Sequence, residues 1–149
     1  MRDGLSNKRI RPLIAPAAAV TDSTAFVSSI IDCQGYDKVT LVVVTGTNAD
    51  ADATVTALLE ESDASNMSGQ NSVADDDMVT MTPGTLPEAA ASFTFADDGE
   101  TRAIGYVGSK RYIRLTMTPA NNTGNQFLAG VAILEGKSAA NATLAASAN

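Results

Sequence analysis

From residue 24 to residue 135, short runs rich in β-branched side chains are cut by turn clusters at intervals of roughly ten residues. That punctuation leaves no room for a long helix and dictates strands joined by short connections. The runs are 25–33, 38–45, 53–61, 92–96, 101–107, 110–118 and 127–135, separated by QGYD, GTNADAD, DDG, the Gly108, Ser109 pair and PANNTGN. Run 110–118 has the clearest period of two, with Arg111, Ile113, Leu115 and Met117 on one face and Tyr112, Arg114 and Thr116 on the other. Run 53–61 places Val55, Ala57 and Leu59 on one face, although its Ala, Leu and Glu also favour helix. Run 38–45 is nearly continuously apolar from residue 39 to residue 44, as in a strand covered on both sides by a second sheet and by an arm or neighbouring subunit. Seven or eight such strands predict an all-β fold, an antiparallel β-sandwich of jelly-roll or Greek-key type, with a barrel as the alternative. The expected core holds Val39, Leu41, Val43, Val55, Leu59, Phe93, Phe95, Ile113, Leu115, Val131 and Ile133.

The ends differ from this body. Residues 1–22 show neither helical nor strand period, and Pro12 and Pro16 withdraw backbone donors, so they are expected to form an extended basic arm dispensable for folding. Residues 23–136 are the body. Residues 137–149, GKSAANATLAASAN from Gly136 onward, lack an apolar period and are expected to be a flexible tail. Residues 62–92 are the least regular part of the body and the expected site of a mobile or partner-facing excursion, with a short strand near 77–81.

Charge and composition narrow the chemistry. The net charge is −7, yet the first twenty residues carry Arg2, Lys8, Arg9 and Arg11 against Asp3 alone. An acidic body repels polyphosphate and anionic lipid, so neither nucleic acid nor a membrane is an expected partner. No apolar run reaches the roughly 20 residues of a membrane span, and no signal-peptide core precedes Ala17. There is no His, which removes the usual general base and metal ligand, and Cys33 is the only cysteine. Serine and cysteine triads, disulfides and thiolate metal clusters are therefore not expected, nor is any cofactor.

Carboxylates are the remaining catalytic currency, clustered at Asp50 and Asp52, at 60–63, at 75–77 and at 97–100. A pair flanking a cleft could hydrolyse a glycoside, and an oxygen-rich loop could hold a hard cation. Their setting among Gly, Asn and Ser reads instead as turn geometry, in which Asp bonds locally to the backbone. The expectation is a protein that is not an enzyme.

Residues 104–115, IGYVGSKRYIRL, bring two tyrosines and three cations together on an acidic chain. Tyr and Arg dominate protein interfaces, so Lys110, Arg111, Tyr112 and Arg114 are candidate partner-binding residues, the alternative being a hairpin whose cations offset neighbouring Asp. In the arm, Arg9 and Arg11 could meet carboxylates while Pro12, Leu13 and Ile14 lie against a shell or a neighbouring subunit.

The order GYDKVTLVVVTGT, then DADATVTALLEESDAS, then FTFADDGETRAIGYVGSKRYIRLTMTPANNTGN resembles small structural proteins of tailed bacteriophages and prophages, of the head decoration or cement kind. The resemblance covers about residues 30–135 and is most specific at Gly105, Tyr106, Val107 and Gly108 with Lys110, Arg111 and Tyr112, and at Asn122, Thr123 and Gly124. It implies a non-enzymatic virion protein bound to the major capsid protein, made in the host cytoplasm and placed on the capsid surface. With most soluble homo-oligomers closed and symmetric, a trimer is expected. Two other readings stay open: a carbohydrate-binding β-sandwich used for adhesion, and a neck or tail structural protein.

Overall fold

The structure is a computed structural model, and it describes residues 4–136. Its regular structure is nearly all strand: β1 (Lys8–Ile14), β2 (Phe26–Val27), β3 (Ile31–Asp32), β4 (Lys38–Asn48), β5 (Thr54–Ser62), β6 (Asn71–Ser72), β7 (Met78–Thr80), β8 (Phe93–Thr94), β9 (Thr101–Tyr106), β10 (Tyr112–Ala120) and β11 (Gln126–Glu135). One short helix, α1 (Pro87–Ala91), begins on Pro87, whose fixed backbone suits the first helical turn. No helix among the described residues is long and apolar enough to cross a membrane.

Two antiparallel sheets face each other. One has the order β1-β11-β4-β9-β7. The other runs β2-β10-β5-β6, with β3 added beside β10 and β8 beside β5. Successive long strands alternate between the sheets, so β4 to β5, β9 to β10 and β10 to β11 each cross the sandwich, as in a jelly roll. Alternation then places Val39, Leu41 and Val43 of β4 inside, against Val55 and Leu59 of β5 and Ile113, Leu115 and Met117 of β10. In β5 the helix-forming residues yield to nine residues of register with β10, because burial outweighs local propensity.

The expected arm is corrected. Residues 8–14 are an edge strand whose partners run from Lys8↔Glu135 to Ile14↔Gly130, and Val20 bridges Gln126 further along β11. Pro12 is tolerated because an edge strand needs donors on one side only. A bulge between Pro12 and Ile14 turns two consecutive side chains inward, so Leu13 and Ile14 are both buried. Gly130 explains the seat of Leu13: a Cβ there would stand 2.8 Å from the Val42 carbonyl oxygen, and a Leu13 methyl fills the adjacent space at 3.3 Å.

Run 25–33 is two strands rather than one. Between them Ser28 Oγ accepts from the Leu115 N–H at 2.9 Å, while the Ser29 N–H leaves the sheet to reach the Leu13 carbonyl at 2.8 Å. Phe95, expected in the core, is 48% exposed. The Asp97 carboxylate accepts from both the N–H and the hydroxyl of Thr94, which ends β8 before Phe95. Val131 and Ile133 were expected inside but face outward, and Leu128, Ala132 and Leu134 are the buried residues of β11. Residues 62–92 are anchored by the buried Met67, Val73, Met78 and Ala91. The expected tail at 137–149 lies outside the described residues.

Candidate interaction surfaces

The cations of β10 and its preceding turn clamp the second sheet together. Arg111 makes a two-pronged contact with Asp32 at 3.0 and 2.8 Å and lies 4.9 Å from the ring centroid of Tyr112. Lys110 meets Asp63 at 2.6 Å, and Arg114 meets Glu60, its partner across the β5–β10 ladder, at 2.8 Å. Hydrogen bonding to Arg111 holds the Asp32 carboxyl below its usual range. Lys110, Arg111, Tyr112 and Arg114 thus share one strand and its turn, but each of the three charges has a partner within the chain, the alternative weighed from the sequence.

Arg9 and Arg11 differ: among the described residues both are exposed and neither makes an ion pair. They border an open groove of about 610 Å³ whose opposite wall is residues 29–31, with Ile10 55% and Ile30 39% exposed. Arg11 is near enough to lower Asp32 as well, so β1 and the start of β10 both bear on that carboxylate. Leu13 and Ile14 belong to the core and offer no surface.

Sequence reasoning missed most of a second surface, the outer face of the five-stranded sheet. Ladder register sets out its rows. One runs Ile10, Ile133, Thr40, Gly105 and Val79. The next runs Pro12, Val131, Val42 and Ala103, and a third Ala129, Val44 and Thr101. None carries a charge, and the first charged row, Lys8–Glu135–Lys38, closes one end. The signal in the sequence is the nearly continuous apolar run of β4, expected to be covered by an arm or a neighbouring subunit; β1 joins the sheet edge, so it is not an arm laid across that face.

At the same end of the sandwich as Lys38 lies a cleft of about 460 Å³ lined by Cys33, Tyr36, Asp37, Lys38, Tyr106 and Lys110. Tyr106 donates to Glu61 at 2.7 Å and accepts from the Lys110 N–H at 2.9 Å, and burial pushes its phenol well up. Burial also raises the Cys33 thiol to about 12, which keeps it protonated and a poor nucleophile at neutral pH. Among the described residues no three Cys, Asp or Glu groups converge to hold a metal ion.

The carboxylates give the fold a defined acid limit. Asp32, Asp50 and Glu135 are held low by hydrogen bonds from Arg111, Thr123 and Lys8 respectively, whereas burial raises Glu88. A lowered carboxyl stabilises the fold at any pH above its unfolded value, about 4, and that contribution disappears as pH falls through the folded value. Glu88 acts in the opposite sense, since its protonation favours the folded state. With Asp22 and Asp97 also held low, five groups stand against one, and thermal melts should be flat from pH 7 to about 5 and fall steadily below about 4. A midpoint that rises on acidification to about pH 3 would show that Glu88 dominates.

No family model matches the sequence, and no curated protein matches it. Among solved structures, the PBSX exported protein XepA is similar over 92% of this chain and 40% of its own, at 17% identity and a TM-score of 0.54. The chain therefore spans about two fifths of that protein, and what they share is the fold. The enzymatically active domain of tailspike protein 4 from bacteriophage CBA120 is similar over 88% of this chain and 20% of its own, at 13% identity and a TM-score of 0.47. A carbohydrate-binding module, CBM35 from Cellvibrio japonicus Abf62, is similar over 87% of this chain and 95% of its own, at 12% identity and a TM-score of 0.44.

Proposed function

We propose that this chain is a non-enzymatic structural protein of a phage particle, a decoration or cement protein that binds the major capsid protein on the capsid surface. The observation that carries this reading is the groove along β1. Among the described residues Arg9, Arg11 and Lys38 make no ion pair, whereas Lys8, Arg102, Lys110, Arg111 and Arg114 do, and Ile10 and Ile30 are exposed beside the two arginines. Two fixed cations beside apolar side chains suit an acidic, partly apolar segment of another protein, because charge steers the encounter and apolar burial holds it. The resemblance in the GYVG and KRY segments supports the same reading, and the likeness of fold to a phage (PBSX) exported protein agrees with it.

Purified protein added to shells that lack it should bind saturably, at a fixed ratio to the major capsid protein, and raise the temperature at which the shells burst. Arg9→Glu with Arg11→Glu should abolish that binding and leave the protein's own melt in place. Failure of the parent protein to bind shells, or undiminished binding by the double variant, would remove the groove from the mechanism.

A second reading has its own observation. The cleft at Tyr36 and Tyr106 puts two tyrosines beside Asp37, Lys38 and Lys110, a combination of ring and polar groups that can hold a sugar. A glycan array separates the two: retention of a glycan that Tyr36→Ala abolishes, without shell binding, favours adhesion. Immunolabelling of intact particles separates the head from the neck or tail.

A further inference from the structure

We propose that two copies of this chain pack face to face through the outer surface of the five-stranded sheet, with the Pro12, Val131, Val42, Ala103 row at the centre. This pairing concerns the free protein and does not rest on where the protein is carried. Three observations point to a second copy as the occupant.

The first is that every sheet edge is defended. β1 carries Lys8, Arg9, Arg11, Pro12 and a bulge, β7 has three residues, and β2, β3, β6 and β8 have two each. Such edges discourage strand addition, so association through backbone ladders is blocked. What remains open is the face, where Val44 and Val131 are each 40% exposed and Val79 54%.

Size is the second. Five strands at about 4.8 Å spacing, along about 20 Å of β4, give a flat area on the order of 500 Å². With its rim this approaches the roughly 800 Å² per partner of a stable interface, and the absence of charge lets two acidic bodies touch without repulsion at the contact.

Charge direction is the third. The Lys8–Glu135 pair and Lys38 lie at one end of the face and leave it one positive charge, while Asp98 and Glu100, with Asp97 paired to Arg102, lie at the other, where Asp98 accepts from the Asn48 N–H. A twofold axis in the plane of the interface and perpendicular to the strands sets the lysine end of each copy over the acidic end of the other. Contact of this isologous kind builds even-numbered assemblies of the free protein, apart from the trimer expected on the particle.

Sedimentation equilibrium of the free full-length protein at micromolar concentration and physiological salt tests it. The parent and Val131→Ile should sediment as dimers. Val131→Lys should raise the dissociation constant roughly 100-fold or more, because the twofold buries two like charges together. Its far-ultraviolet spectrum and melt should remain those of a folded monomer. A monomeric parent, an odd-numbered assembly, or a folded Val131→Lys that dimerises like the parent would overturn the proposal. Shell binding, read separately through Arg9 and Arg11, can fail or succeed without affecting this result.

Discussion

Deleting residues 1–14 is expected to abolish the cooperative unfolding transition at room temperature. The segment supplies the whole of β1 and two side chains of the core, Leu13 at 1% and Ile14 at 6% exposure. Loss of a buried Leu or Ile side chain costs about 2–5 kcal/mol, and domains of this size are stable by only about 5–15 kcal/mol. The deletion also strips the hydrogen-bonding partner from β11, leaving its backbone N–H and C=O groups as an unpaired edge. Leu13→Ala gives the graded version, a loss of about 2–5 kcal/mol in urea denaturation. A shortened chain that melts like the parent would mean that β1 docks without holding the sandwich together.

Arg114→Glu is expected to destabilise the chain by about 2–4 kcal/mol. Arg114 and Glu60 face each other across the ladder with side chains only 24% and 15% exposed, so reversal sets two carboxylates together where water screens them poorly. The double variant with Glu60→Arg restores the pair and should recover more than half of the loss. A single variant with the parent's denaturation midpoint would show that the pair is effectively solvated. Reduced shell occupancy by Arg114→Glu would therefore report a weakened fold before it reported an interface.

These two expectations mark where the sequence could and could not be read. Strands β5 and β10 were legible in phase because polar residues on one face fix it, as Tyr112, Arg114 and Thr116 do in β10, and β4 and β9 were legible as strands. β11 was legible as a strand but not in phase, since Phe127, Val131 and Ile133 on one face are as apolar as Leu128 and Leu134 on the other. Its inward face is chosen by the space above Gly130 and Ala132, which is a property of the packed structure. β1 escaped notice because an edge strand carries charge and proline by the same logic that makes a loop polar. α1 was hidden because five residues are too few to display a helical period. Of the candidate residues, Arg9 and Arg11 are exposed, whereas Leu13 and Ile14 lie in the core and the β10 cations face partners inside the chain.

The place of β11 between β1 and β4 also governs the order in which the molecule can form. During synthesis β1 and β4 emerge first, but they are not neighbours, and each presents an unmatched edge until residues 126–135 arrive to lie between them. Through that interval Leu13, Ile14, Leu41 and Val43 have only half of their final surroundings. Long-range antiparallel pairing is slow to close, and unpaired apolar strands are the species that aggregate. Yield in a cell will accordingly follow how long the nascent chain waits for its last strand, and variants that weaken β11 should accumulate as insoluble material before any loss of stability is measurable in the folded protein.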